Sequence, residues 1–215
     1  AAGAQAKDAF APYRAQTGKP AKLGTLPPGG TPTVALRYWL KTEGVDPADV
    51  TFASMGIEAV QQAMLTGAVD GGTVLEPALT IVQSRKPDIR TIAFAPQMYP
   101  NLPGVVVSAT DAFLASRFEA VATILKLAGR ARDLILAKPA EAAPHVQAIL
   151  SGGLVDSAIY EKALGSKAIT FVLDPRQIVE ATRASLAFEV EIGDFAQAPS
   201  IEGLFDMRAY DASRA

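Results

Sequence analysis

The sequence predicts an α/β fold: a three-layer lobe with a mainly parallel sheet flanked by helices, followed by a helical C-terminal region. Three observations carry that prediction. Between residues 21 and 109, short runs that read as strands alternate with segments striped at helical period. The joints between them are Gly- and Pro-rich turns. After Thr110 the strand-like runs nearly vanish and helical stripes take over. Strands alternating with helices imply parallel pairing, right-handed crossovers and helices on both faces of the sheet.

Each element has a local cause. Residues Ala6 to Ala15 suit a short helix with Phe10 and Tyr13 on one face, stopped by Gly18 and Pro20. Before it, Ala1 to Ala6 has the small-residue look of a signal-peptidase site with no apolar segment ahead of it, which suggests a processed chain or a fragment. Ala21 to Leu26 reads as a first strand, and Pro27-Pro28-Gly29-Gly30 breaks regular structure. Thr31 then serves as N-cap with Pro32 at the first helical position of a helix to Glu43. Its residues Val34, Leu36, Tyr38, Trp39 and Leu40 are apolar over much of the circumference, so it is expected to be buried, with Trp39 in the core.

The pattern repeats. Val50 to Met55 is a second strand, Gly56 turns the chain, and Ile57, Val60 and Met64 stripe a helix closed by Gly67. Val69 to Leu75 is a third strand weakened by Gly71 and Gly72, and Glu76-Pro77 opens a helix to about Lys86. Arg90 to Ala95 and Gly104 to Ala109 read as fourth and fifth strands around a turn-rich stretch, Pro96 to Pro103. Helices follow over Asp111 to Lys138 (one or two), Pro139 to Leu150 and Asp156 to Leu164, then a short extended piece, Thr170 to Leu173. Asp174-Pro175 caps a helix to about Glu191, and the tail Pro199 to Tyr210 is expected to be irregular with one helical turn.

Composition narrows function. The 215 residues suit one large domain or two small ones, and 49% hydrophobic residues supply a packed core. Basic and acidic residues number 20 and 22, give a net charge of -2 and are mixed along the chain, so no nucleic-acid face is expected. No apolar run approaches the roughly 20 residues of a membrane span. Cysteine is absent and His145 is the one histidine. Disulfides, thiolate sites and two-histidine metal sites are therefore excluded, and neither a metal nor a cofactor is expected. No catalytic residue is assigned: His145 has no legible nucleophile or acid beside it, and Glu189 and Glu191, spaced i,i+2, face apart on a helix.

Ligands of parallel sheets bind at the carboxyl ends of the strands. The segment Gly29-Gly30-Thr31-Pro32-Thr33 stands at one such end. Its glycines permit close backbone approach, the helix start offers N–H groups and positive dipole, and Thr31 and Thr33 add hydroxyls, a combination suited to an anion. The same residues also describe an ordinary capped turn. Met55 and Gly56 offer backbone groups and an apolar wall, or simply a turn. Glu76 either accepts a ligand hydrogen bond or caps its helix. Tyr99 and Asn101 lie in a Pro-rich loop that either closes over a ligand or crosses the surface.

An ordered series of motifs carries a resemblance. It runs through Gly18-Lys19-Pro20-Ala21-Lys22-Leu23-Gly24, Pro28-Gly29-Gly30-Thr31-Pro32, Leu40-Lys41-Thr42-Glu43-Gly44-Val45-Asp46 and Val50-Thr51-Phe52. It continues through Gln61 to Gly71, Leu75-Glu76-Pro77-Ala78, Tyr99-Pro100-Asn101-Leu102-Pro103-Gly104 and Lys138 to Ala143. From about residue 17 to 210 the chain resembles the second lobe and C-terminal helices of periplasmic substrate-binding proteins of nitrate/sulfonate/taurine-type ABC transporters. Leu75 stands where that family often has an aromatic residue.

The resemblance implies a two-lobed, hinge-bending fold of the type II periplasmic-binding-protein class, with most of the first lobe not in this chain. It divides the chain into a connecting helix at 1–20, an α/β second lobe at 21–103, and a hinge-return strand with helical C-terminal region at 104–215. It implies a periplasmic, non-enzymatic protein that captures a small anionic solute, such as a sulfonate, nitrate or related organic compound, and delivers it to an ABC permease. Gly29, Gly30, Thr31 and Thr33 would hold the head of the solute, and Met55, Gly56, Glu76, Tyr99 and Asn101 would shape the rest. Exposed apolar surface where a first lobe would pack makes self-association an expectation. The alternatives are an enzyme related to thiamine-precursor synthesis and the effector-sensing domain of a transcription regulator. The latter needs an upstream DNA-binding segment, for which residues 1 to 20 are too short and insufficiently basic.

Overall fold

The computed structural model describes residues 7–152 and 154–214; the stretch Ala1 to Ala6 lies outside them. The chain opens with helix α1, Lys7–Thr17, then strand β1, Ala21–Thr25, and helix α2, Thr31–Thr42. A 3₁₀ turn, Pro47–Asp49, leads into β2, Val50–Ser54, followed by α3, Ile57–Thr66, and a two-residue β3, Gly71–Gly72. The three strands form a parallel sheet in the order β2-β1-β3. Leu23 pairs with Phe52 on one side and Gly71 on the other, so β1 is central.

The alternation of β1 decides which helix lies on which face. Ala21, Leu23 and Thr25 point one way and Lys22 and Gly24 the other. Leu23 joins Leu36 and Leu40 of α2, with Val45 and Val50, in a buried cluster against which Phe10, Trp39 and Met98 pack. Each such leucine contributes about 1.5–3 kcal/mol over the exposed state. On the opposite face a Cβ at Gly24 would lie 3.4 Å from Val60 of α3 and 3.5 Å from Val69. The predicted helix–sheet–helix layering therefore holds around a small sheet. Asp70 ties the N-terminal helix to it: its carboxylate accepts from the Tyr13 hydroxyl at 2.6 Å and from the Lys22 N–H at 2.8 Å.

Three extended predictions need correction. The third strand is confined to Gly71–Gly72, and neither Arg90 to Ala95 nor Gly104 to Ala109 forms a strand. Strand propensity is realised only against a partner edge, and a two-residue β3 offers none long enough to propagate. Arg90 to Phe94 instead runs as coil, anchored where Gln83 Nε2 donates to Thr91 at 3.0 Å. Short helix α5, Ala95–Met98, follows it. Val105, Val106 and Val107 are 94%, 58% and 64% exposed. Thr170 to Leu173 likewise joins no ladder.

Helix α4, Ala78–Arg85, completes the first half. The predicted long helix is two, α6 at Asp111–Ser116 and α7 at Phe118–Ala137, and α8 follows at Pro139–Leu150. Then come α9 at Ser157–Leu164, a 3₁₀ turn at Pro175–Gln177, α10 at Val179–Glu191 and α11 at Met207–Arg214. The tail thus carries a helix of 8 residues rather than one turn. These helices pack back on the α/β half through α9 on α4 and α10 on α2. At the second junction Arg37 Nη1 donates to both carboxylate oxygens of Asp194 at 3.0 and 3.1 Å.

Candidate functional site

Because the strands are parallel, the segments that leave them, 26–30, 55–56 and 73–77, share one end of the sheet. The N-termini of α2 and α3 share it too. The N-cap of α2 is Gly30, not Thr31 as the sequence suggests, and Thr31 takes the first helical position. The N-cap of α3 is Gly56. Neither helix has a side-chain cap hydrogen bond, and both point the positive end of their dipole at this rim; at α2 the Gly30 and Thr33 N–H groups are taken by the Pro27 and Gly30 carbonyls and Pro32 has none, which leaves the Thr31 N–H.

The loop after β1 is built by its glycines. Gly29 has φ +78, a conformation side chains rarely adopt, and Gly30 N–H donates to the Pro27 carbonyl at 3.0 Å. A Cβ on Gly30 would stand 3.1 Å from both Leu26 Cβ and the Pro27 oxygen. The Thr31 hydroxyl donates to the Pro103 carbonyl at 3.3 Å, which ties this loop to the turn at Tyr99 to Gly104. Thr33 is 4% exposed and its hydroxyl donates to the Leu26 carbonyl at 2.5 Å. Beneath it lies Thr25, 1% exposed, whose hydroxyl is 3.0 Å from that of Thr33 and 2.7 Å from that of Thr73.

The other predicted residues divide. Met55 is half-buried, Gly56 is exposed, and the Met55 N–H donates to the Thr25 carbonyl at 2.9 Å, which fixes the end of β2 beside the end of β1. Glu76 is half-buried and its Oε2 accepts from the Thr80 N–H at 3.1 Å, a capping bond for α4. Asn101 has φ 59 and occupies an exposed turn.

Tyr99 is 6% exposed and packs into a ring cluster: its centroid is 4.1 Å from Tyr38, which meets Phe188 edge-on at 5.3 Å. Burial, with Tyr38 and Glu189 nearby, raises its hydroxyl above the ordinary tyrosine range. Glu189, 7% exposed on α10, is also raised, by burial and then by the charge of Asp194, against a hydrogen bond from Ser185. Glu191 faces outward and pairs with Lys41, so the two glutamates diverge as their spacing predicts. Trp39 packs against the core cluster, and His145 is exposed on α8.

The threonine chain is what sequence reasoning missed. Thr25 and Thr73 carry no motif, but one signal was available: Thr25 is the polar third member of the inward set Ala21, Leu23, Thr25. A buried hydroxyl at a strand end requires a partner. The charge at the rim is equally specific. Segments 25–33, 54–58 and 73–78 contain no Lys, Arg or His, while Glu58 and Glu76 are both present. An anion placed there would meet main-chain N–H groups and no cationic side chain from these segments. No group of three or more His, Cys, Asp or Glu among the described residues has metal-binding geometry. Cavities of about 530 and 310 Å³ lie elsewhere, between α10 and segment 198–207 and beside α6 and α7. None of the described helices is long and apolar enough to cross a membrane.

Comparison with known proteins agrees with the motif series. No curated protein and no solved structure matches the chain. Residues 1–151 match the NMT1-like family. That match covers more than half of the chain, which therefore belongs to the NMT1-like family, of nitrate/sulfonate/taurine-type periplasmic binding proteins.

Proposed function

We propose that the chain is the solute-binding component of an ABC importer, or the part of one that forms one wall of its cleft. It captures a small solute in the periplasm and delivers it to a membrane permease without chemical conversion. The observation that carries this reading is the convergence of two glycine-capped helix N-termini with three parallel strand ends on one rim. Such a rim holds a polar or anionic head by backbone N–H groups and dipole. In this reading Gly29, Gly30 and Thr31 meet the head, Thr33 fixes their turn, and Met55, Gly56 and Glu76 border the remainder. Asn101 stands on the turn that Thr31 tethers, and Tyr99 anchors that turn from below. The rim is open, which suits closure against a second wall. Exposed valines at 105–107 favour association with another copy or lobe.

The experiment is titration calorimetry of the whole chain with sulfonate and carboxylate probes, repeated on Gly30→Val and Thr31→Ala. Gly30→Val drives a side chain into Leu26 and Pro27 and should abolish binding. Thr31→Ala loosens the tether to Pro103 and should weaken it several-fold. Unchanged affinity in both variants removes this rim from the site.

A further inference from the structure

The C-terminal region holds a cavity that takes no part in the rim. Its volume is about 530 Å³ and it lies between α10 and the segment 198–207. Small-molecule sites span roughly 300–1,000 Å³. Both walls lie beyond residue 151, outside the stretch that matches the NMT1-like family. Val179, Arg183 and Leu186 follow at i, i+4 and i+7, so one face of α10 forms one wall. Ile201, Glu202 and Phe205 belong to the other. That second wall is a fixed turn. The Glu202 N–H donates to Ser200 Oγ at 3.1 Å, the Leu204 N–H donates to the Ile201 carbonyl at 3.1 Å, and Gly203 has φ 75. Val179, Leu186, Ile201 and Phe205 are half-buried, whereas Arg183 and Glu202 are exposed. The cavity thus has an apolar floor and one charge of each sign at its mouth, contributed by opposite walls.

Those two charges are uncommitted. Among the described residues the Glu202 carboxylate has no ion pair and accepts no hydrogen bond. Arg183 has only Glu180, whose Oε1 stands 3.8 Å from its Nε on a side chain 85% exposed. Neighbouring charges do find close partners: Arg208 binds both carboxylate oxygens of Asp206, and Arg176 both of Asp211. Arg183 and Glu202 do not pair with each other, because the cavity separates them. We propose that this cavity is a second ligand site, independent of the rim, and that it takes a small amino carboxylic acid with an apolar body. The planar guanidinium of Arg183 takes the carboxylate through parallel N–H donors. Glu202 takes the ammonium, and the hydrocarbon between them covers Leu186, Ile201 and Phe205. A ligand with one charge leaves the opposite wall unanswered, and a neutral one leaves both.

The probes are leucine and ε-aminocaproate, which share one molecular formula and differ in the spacing of their charges, with caproate and hexylamine as singly charged controls. In calorimetry on the whole chain, at least one of the two zwitterions should bind more tightly than both controls, by about five- to tenfold, less than for a buried pair because water reaches the mouth. Arg183→Met should erase the advantage over hexylamine, and Glu202→Gln should erase the advantage over caproate. Both side chains are exposed, so neither variant puts folding at risk. In an NMR titration the amide signals of residues 200–205 should move and those of residues 29–33 should stay. Zwitterions that bind no better than the controls, or binding indifferent to both variants, overturn the site. Signals that move at residues 29–33 and not at 200–205 also overturn it, and place the probes on the rim instead.

Discussion

Replacing Gly72 by alanine should destabilise the protein through one contact. A Cβ at Gly72 would stand 2.5 Å from the backbone oxygen of Gly24, 3.2 Å from Val60 Cγ1 and 3.3 Å from the Gly24 carbonyl carbon. The nearest of these is backbone of the central strand, held by the pairing of Gly24 with both Ala53 and Gly72, so it has no free direction in which to retreat. Overpacking of this kind costs about 1–3 kcal/mol. For a protein of this size that is a fall in Tm of about 2–4 °C per kcal/mol. Two neighbours calibrate the effect. At Gly71 the new Cβ meets only Leu23 Cδ2 at 3.3 Å, the end of a side chain that can rotate, and at Gly56 it meets nothing within 4 Å. Urea unfolding followed by circular dichroism should therefore rank Gly72→Ala as most destabilised, Gly71→Ala as mildly affected and Gly56→Ala as near wild type. A Gly72→Ala protein as stable as wild type, or a Gly71→Ala protein less stable than it, would refute the contact argument and with it the close approach of β3 to β1.

Three further outcomes are expected. Glu189 is raised in the folded state by burial and by Asp194, so its folded form holds a proton that the unfolded chain releases at lower pH. Its favourable contribution is complete below the ordinary glutamate range and is lost as pH rises through the folded value. Glu189→Gln should match wild type in acid and become the more stable protein as pH rises toward neutrality, and a constant difference across pH would contradict this. Arg37→Met leaves Asp194 without its doubly bonded partner at the junction of α2 and α10, where the side chains are 27% and 14% exposed. A loss of about 1–2 kcal/mol in urea unfolding is expected, below the cost of breaking a fully buried pair because water reaches this one. Finally, Val106→Lys places a charge in the exposed valine run and should shift light-scattering mass toward monomer; an unchanged mass would take this segment out of any self-association.

How much of the molecule can be read from its residues depends on whether the cause is local. Gly67 ends α3 in a left-handed conformation, φ 75, and Pro139 starts α8, because a single residue's backbone freedom settles each. Likewise local is the divergence of Glu189 from Glu191, which their i,i+2 spacing on α10 settles. The rim itself follows from parallel order, so Gly29, Gly30, Met55, Gly56 and Glu76 come to one end of the sheet as their spacing predicts.

What the residues alone could not decide depends on partners distant in sequence. Gly104 to Ala109 has strand propensity but no edge to join, and propensity without a ladder leaves backbone groups to water. Tyr99 reads as a loop aromatic, yet Tyr38 from α2 stacks on it and α10 brings Phe188 against Tyr38, residues separated from it by 61 and 89 positions along the chain. Thr73 reads as a residue in a weak strand. Only pairing of β3 with β1, and packing of the first turn of α2 over Thr25, joins three hydroxyls into one hydrogen-bonded chain. A hydroxyl's identity as donor or acceptor is set by its neighbours rather than by its own chemistry, and those neighbours are assembled by the tertiary fold.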